Sequence, residues 1–97
     1  MRVRFTSKRL EGLYTSERGA SHYQQAVVDS FFEVVAYIRA AKDERDLYAM
    51  KSLHYEKLLG REPQRSVRLN KQWRLIVVLV TDDEGTTVEI AAIEDYH

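Results

Sequence analysis

His54 and Glu56 stand two residues apart in a segment, Leu53 to Leu58, that alternates like a strand. On a strand that spacing puts both side chains on one face. An imidazole with its ordinary pKa of about 6.5 suits proton transfer near neutrality. Lys57, Arg68 and Arg74 lie close by in sequence and bring cations to the same region. The sequence ends Asp95-Tyr96-His97. An aromatic pair just after a buried strand is suited to being held against the sheet.

Each of these residues also has a plainer reading. His54 fits an ordinary half-buried strand histidine, and Asp95-Tyr96-His97 fits a frayed terminus. Arg68 fits a solvated position on an alternating strand. Arg74 fits a sheet-edge salt bridge to an acidic residue of the last third. Trp73 reads as core. Tyr55 reads as packing under a helix, although a tyrosine there could also stack on a base. His22 reads as a surface residue in the first turn of a long helix. No two of the three histidines have metal-ligand spacing, and there is no cysteine, so no metal and no cofactor is expected. A P-loop, a dinucleotide-binding fingerprint, His-Glu-x-x-His and a calcium loop are all missing.

The elements that must position these residues follow from periodicity. Arg2 to Thr6 alternates and predicts a short strand. Ser7 can cap a short helix, Lys8 to Tyr14. Ser21 and Gln24 have capping-box spacing. The stripe Tyr23, Val27, Phe31, Val34/Val35 and Ile38 predicts a long helix to about Ala41, widened by Val28 and Phe32. Asp43 can cap a further short helix. From residue 51 the period changes to two. Leu53–Leu58, Arg65–Leu69, Trp73–Val80 and Thr86–Ile93 predict four strands joined by short connections. Glu94 to His97 reads as a polar tail. The order, one strand, helices, then four strands, predicts an α+β chain with an antiparallel sheet packed against two or three N-terminal helices.

The sequence has 97 residues, 44% hydrophobic and 31% charged, which is enough for one domain, 1–97, and argues against disorder. Its longest apolar run, Leu75 to Val80, is far short of the roughly 20 residues of a membrane span, and the start has no signal-peptide pattern. The cytoplasm and no membrane partner are expected. Net charge is zero, but it is unevenly spread. Residues 51–74 carry seven Lys/Arg against Glu56 and Glu62, and residues 75–97 carry six acidic residues and no Lys or Arg. A basic segment of that kind can track a phosphate backbone, or can pair with the acidic end.

The stretch Lys51-Ser52-Leu53-His54-Tyr55-Glu56-Lys57-Leu58, then Gly60, then Arg65 to Asn70, then Gln72-Trp73-Arg74-Leu75, then Glu94 to His97, resembles the HigB branch of the RelE/ParE superfamily. These are toxins of type II toxin–antitoxin systems. The resemblance covers residues 47–97 through Ser66-x-Arg68-x-Asn70-x-Gln72-Trp73-Arg74 and the terminal Asp95-Tyr96-His97. Residues 1–46 match only in pattern. Leu59 stands where many members carry lysine.

The resemblance implies a RelE-like, microbial-RNase-like fold and a metal-independent endoribonuclease that cuts mRNA on the ribosome. It implies a cognate helix-turn-helix antitoxin of the HigA kind, with operator DNA met only through that partner. It makes His97 the first acid–base candidate, with Asp95 orienting it and Tyr96 stacking on a base or holding the 2′-hydroxyl. His54, with Glu56, is the second. Lys57, Arg68 and Arg74 would bind phosphate. The same fold also carries gyrase inhibitors of the ParE kind that cut nothing, and a degenerate module that only binds its antitoxin is a third reading.

Overall fold

The computed structural model describes residues 1–96, and the candidate His97 lies outside them. The chain runs β1 (Arg2–Phe5), α1 (Lys8–Ser16), a 3-10 turn (Ala20–His22), α2 (Gln25–Ala40), α3 (Glu44–Ala49), a second 3-10 turn (Lys51–Leu53), β2 (Glu56–Lys57), β3 (Arg65–Arg68), β4 (Trp73–Asp82) and β5 (Gly85–Asp95). The strands form one sheet in the order β1-β5-β4-β3-β2.

The expected α+β architecture is present, with one correction to its sheet. β2, β3, β4 and β5 pair antiparallel, but β1 pairs parallel with β5, so the sheet is mixed. A parallel pair needs a long crossover. Here everything from α1 to the β4–β5 hairpin lies between the two strands.

Local signals explain the starts of α1 and α3. The Ser7 side chain accepts the Leu10 N–H at 3.2 Å and starts α1. Asp43 accepts from the Arg45 N–H and starts α3. The Arg45 guanidinium, and after it that backbone bond, hold the Asp43 carboxyl below its ordinary range. The expected capping box at Ser21 does not form. Ser21 and His22 sit in the 3-10 turn, Tyr23 is extended, and α2 begins at Gln25 with no side-chain cap. His22 is therefore not in the long helix.

One face of the sheet meets the helices. Val67, Leu75, Val77, Val88 and Ile90 pack against Val27, Val28, Phe31, Val35 and Ile38 of α2, and against Leu10 and Leu13 of α1. Trp73 packs on the rim of this core, edge-on to Tyr23 with ring centroids 6.3 Å apart. The opposite face carries no helix, yet β4 is buried continuously from Arg74 to Val77. Arg74 and Ile76 are the residues of that run on the open face, and something other than a helix covers them.

A β-bulge decides what else faces that side. Ile76 pairs with Ala92 and Val77 with Ile90, which leaves Ala91 as an extra residue in β5. Strict alternation from the core residue Ile90 would turn Glu94 inward. The extra residue reverses the parity. Ile93 packs against the core and Glu94 stands opposite Arg74. The β5 strand runs on to Asp95, so Glu94 and Asp95 are ladder residues and not a tail.

Candidate active site on the open face of the sheet

Arg74 is the centre of the open face. It is expected at a sheet edge, but it lies on the interior strand β4 and is 8% exposed. A buried charge must be compensated. Its Nη1 donates to the His54 carbonyl at 3.3 Å and lies 3.9 Å from Glu56 Oε1, an ion pair too long to be a hydrogen bond. The Tyr96 ring covers the guanidinium, with its centroid 4.0 Å from Cζ.

His54 does not lie on a strand. It follows the turn Lys51–Leu53 in the left-handed region, at φ 45° and ψ 45°. Such a backbone is unfavourable for a side chain other than glycine by on the order of 1–3 kcal/mol and persists only where its surroundings hold it. Three bonds do so here. The His54 N–H donates to the Lys51 carbonyl, its carbonyl accepts from Arg74, and its Nε2 lies 3.1 Å from Arg68 Nη1. A guanidinium only donates, so Nε2 is the acceptor and the ring hydrogen belongs on Nδ1. The expected strand shrinks to Glu56–Lys57. The two-residue alternation of buried Leu53 and Tyr55 is produced by a turn and not by a pleat.

Glu56 faces the site because it pairs with Ser66, which is on the same face as Arg68. Lys57 pairs with Arg65 on the other face, where Arg65 bridges to Glu44 of α3 at 2.5 Å. The structure does not bring Lys57 to the other candidates. Leu59 is 92% exposed and offers no substitute cation. Asp95 accepts from Gln72 Nε2 at 3.1 Å, and the Tyr96 N–H donates to the Gln72 carbonyl at 2.6 Å. These two bonds and the Trp73–Asp95 pairing hold the end of β5 beside Arg74.

Tyr55 has the structural role. Its hydroxyl donates to Glu44 Oε2 at 2.7 Å, edge-on to Tyr48, and burial together with that bond pushes its pKa well above the usual tyrosine range.

Arg74 therefore gathers Glu56, the Tyr96 ring and the His54 carbonyl, while the His54 imidazole turns to Arg68, which lines a neighbouring groove with Ser30, Glu33 and Tyr37 of α2. Sequence reasoning missed Arg61, Ser66 and Glu94. These three and Tyr96 line the cleft, about 210 Å³, that opens over Arg74. Ser66 is part of the quoted signature, but nothing in a sequence marks its hydroxyl as unpaired. Arg61 and Glu94 lie 33 residues apart and meet only through the fold.

Such a site can stabilise negative charge at a phosphate and move a proton beside it. Among the described residues no group of His, Asp and Glu could hold a metal ion, and no helix is long and apolar enough to cross a membrane.

The fold is that of the RelE/ParE-type toxins. A solved YoeB/ParE toxin from Agrobacterium tumefaciens is similar with a TM-score of 0.59 over 100% of both chains, at 12% sequence identity. At that identity the likeness concerns the fold. No protein-family model and no curated protein sequence matches the chain.

Proposed function

We propose that this chain is the toxin of a type II toxin–antitoxin system, of the HigB kind, and acts as a metal-independent mRNA endoribonuclease on the ribosome. The observation that carries the reading is the buried Arg74 guanidinium on an open sheet face, roofed by Tyr96 and flanked by His54. A cation placed where no helix covers it, in a cleft open to a ligand, is suited to a phosphate.

RNA brings its own nucleophile, the 2′-hydroxyl beside the scissile phosphate. The protein then has three tasks: to remove that proton, to stabilise charge on the phosphorus centre, and to protonate the leaving 5′-oxygen. Arg74 performs the second task, with Arg68 on the flanking phosphate. Tyr96 stacks on a base or holds the 2′-hydroxyl. His97 and His54 share the proton transfers, with Asp95 orienting His97 and Glu56 beside His54. The products are a 2′,3′-cyclic phosphate and a 5′-hydroxyl. A helix-turn-helix antitoxin neutralises the activity in the cytoplasm and carries the pair to operator DNA.

The test is induction of the chain alone in a bacterial host, followed within minutes by mapping of mRNA 5′ ends. New 5′-hydroxyl ends inside translated frames, absent with Arg74→Ala, are the expected result. Growth arrest with intact mRNA and gyrase–DNA adducts would replace the nuclease with a ParE-like inhibitor. Neither arrest nor cleavage would leave only antitoxin binding.

A further inference from the structure

Ser66 is 1% exposed, and its hydroxyl is the one buried side-chain polar atom among the described residues that has no hydrogen-bond partner. Folded chains rarely leave such a group unmatched, and an exception calls for a ligand or a water. Ser66 lines the cleft over Arg74, and its pairing with Ile76 and Glu56 puts it on the open face.

A second observation concerns the same cleft. Arg61 reaches across from the β2–β3 connection to Glu94 of β5. Its Nη1 and Nη2 donate to the two carboxylate oxygens at 2.9 and 2.8 Å. This two-pronged geometry is the one a guanidinium makes with a phosphate. Both side chains are substantially exposed, 44% for Arg61 and 39% for Glu94, so the pair is weakly held and can exchange its anion.

We propose that Arg61, Arg74 and Ser66 form a phosphate subsite and that the Glu94 carboxylate fills it in the free protein. The inference rests on the RNA-cleaving reading above and deepens it. An incoming phosphodiester of the RNA backbone displaces Glu94, takes over the two Arg61 donors, meets the Arg74 charge and gives the Ser66 hydroxyl the acceptor it lacks. Glu94 then turns to solvent. Glu94 is thus an internal competitor that sets how tightly the empty cleft takes RNA.

The experiment is a titration of the full chain with inorganic phosphate, followed by NMR at the Ser66 amide and the Arg61 and Arg74 Nε–H signals. Saturable shifts at these groups are expected. Glu94→Gln should tighten phosphate binding about fivefold, the scale of releasing one exposed ion pair. Ser66→Ala should weaken it about two- to tenfold, the scale of one hydrogen bond, with the melting temperature unchanged or higher. A lower melting temperature would show that the hydroxyl has a structural partner, and would overturn its role. No saturable shift in either the native chain or Glu94→Gln would overturn the subsite. A 2′-O-methylated tri-ribonucleotide should shift the same signals at lower concentration than phosphate. If only the free ion does so, the assignment to RNA falls. Phosphate binding is read without cleavage. Missing mRNA cleavage therefore sinks the nuclease and leaves the subsite, whereas cleavage without phosphate binding sinks the subsite alone.

Discussion

The guanidinium carbon of Arg74 lies 4.0 Å from the centre of the Tyr96 ring, and this contact joins the middle of the sheet to the end of its longest strand. It shields a buried cation whose carboxylate partner among the described residues is Glu56, 3.9 Å away. Tyr96 itself stays 56% exposed.

Tyr96→Phe keeps the ring and should leave stability within about 0.5 kcal/mol, whereas Tyr96→Ala should cost about 1 kcal/mol through the lost cation–π contact. If the hydroxyl holds the 2′-oxygen, Tyr96→Phe lowers kcat for a model oligoribonucleotide at least about tenfold with KM unchanged. Urea melts and steady-state kinetics on the two variants separate the roles. Equal kcat in Tyr96→Phe and the native chain would leave the ring as the whole contribution.

His97→Ala should lower cleavage by about 10²–10⁴-fold at an unchanged melting temperature, the range for losing a general acid or base. Deleting residues 95–97 is a poorer test. It removes Asp95 from its pairing with Trp73 and the Tyr96 N–H from the Gln72 carbonyl, so it should also lower stability. Full activity in His97→Ala moves the proton transfers to His54.

Salt dependence distinguishes Arg68 from Lys57. Arg68 stands beside His54 on the site's side of the sheet, and Lys57 faces the α3 side with Arg65. Arg68→Ala should reduce the slope of log K against log salt for a single-stranded RNA by about 0.7, the value for one phosphate contact. Lys57→Ala should leave the slope as it is. The opposite pattern would reverse the assignment of the two cations.

Tyr55 predicts an alkaline loss of stability. Its pKa in the folded chain lies well above the ordinary value of 10.0, because burial and the bond to Glu44 both disfavour the phenolate. Above about pH 10 the unfolded chain releases this proton and the folded chain keeps it, so stability falls as pH rises. The contribution is whole below the unfolded value and disappears as pH climbs toward the folded one. Urea midpoints between pH 8 and 11 should fall less steeply for Tyr55→Phe. Parallel curves would mean that other groups control the alkaline limb.

What the sequence by itself determined is local. Ser7 and Asp43 cap helices because an N-cap needs only a side-chain oxygen two or three residues from its donor. The apolar stripe of α2 and the run in β4 declare a core because their periods match a helix and a buried strand. The cluster residues His54, Arg68, Arg74 and Tyr96 are also visible as residue types. What only the tertiary structure decided is non-local or depends on a single added residue. Nothing in Arg2–Phe5 says that it will pair parallel with β5. The alternation of Leu53 and Tyr55 fits a strand as well as it fits the turn that puts His54 in the left-handed region. One extra alanine, Ala91, reverses the parity of β5 and turns Glu94 toward Arg61 and Arg74. The site is therefore read in outline from side-chain chemistry, but its partners are set by register, which a one-residue shift inverts and no local pattern records.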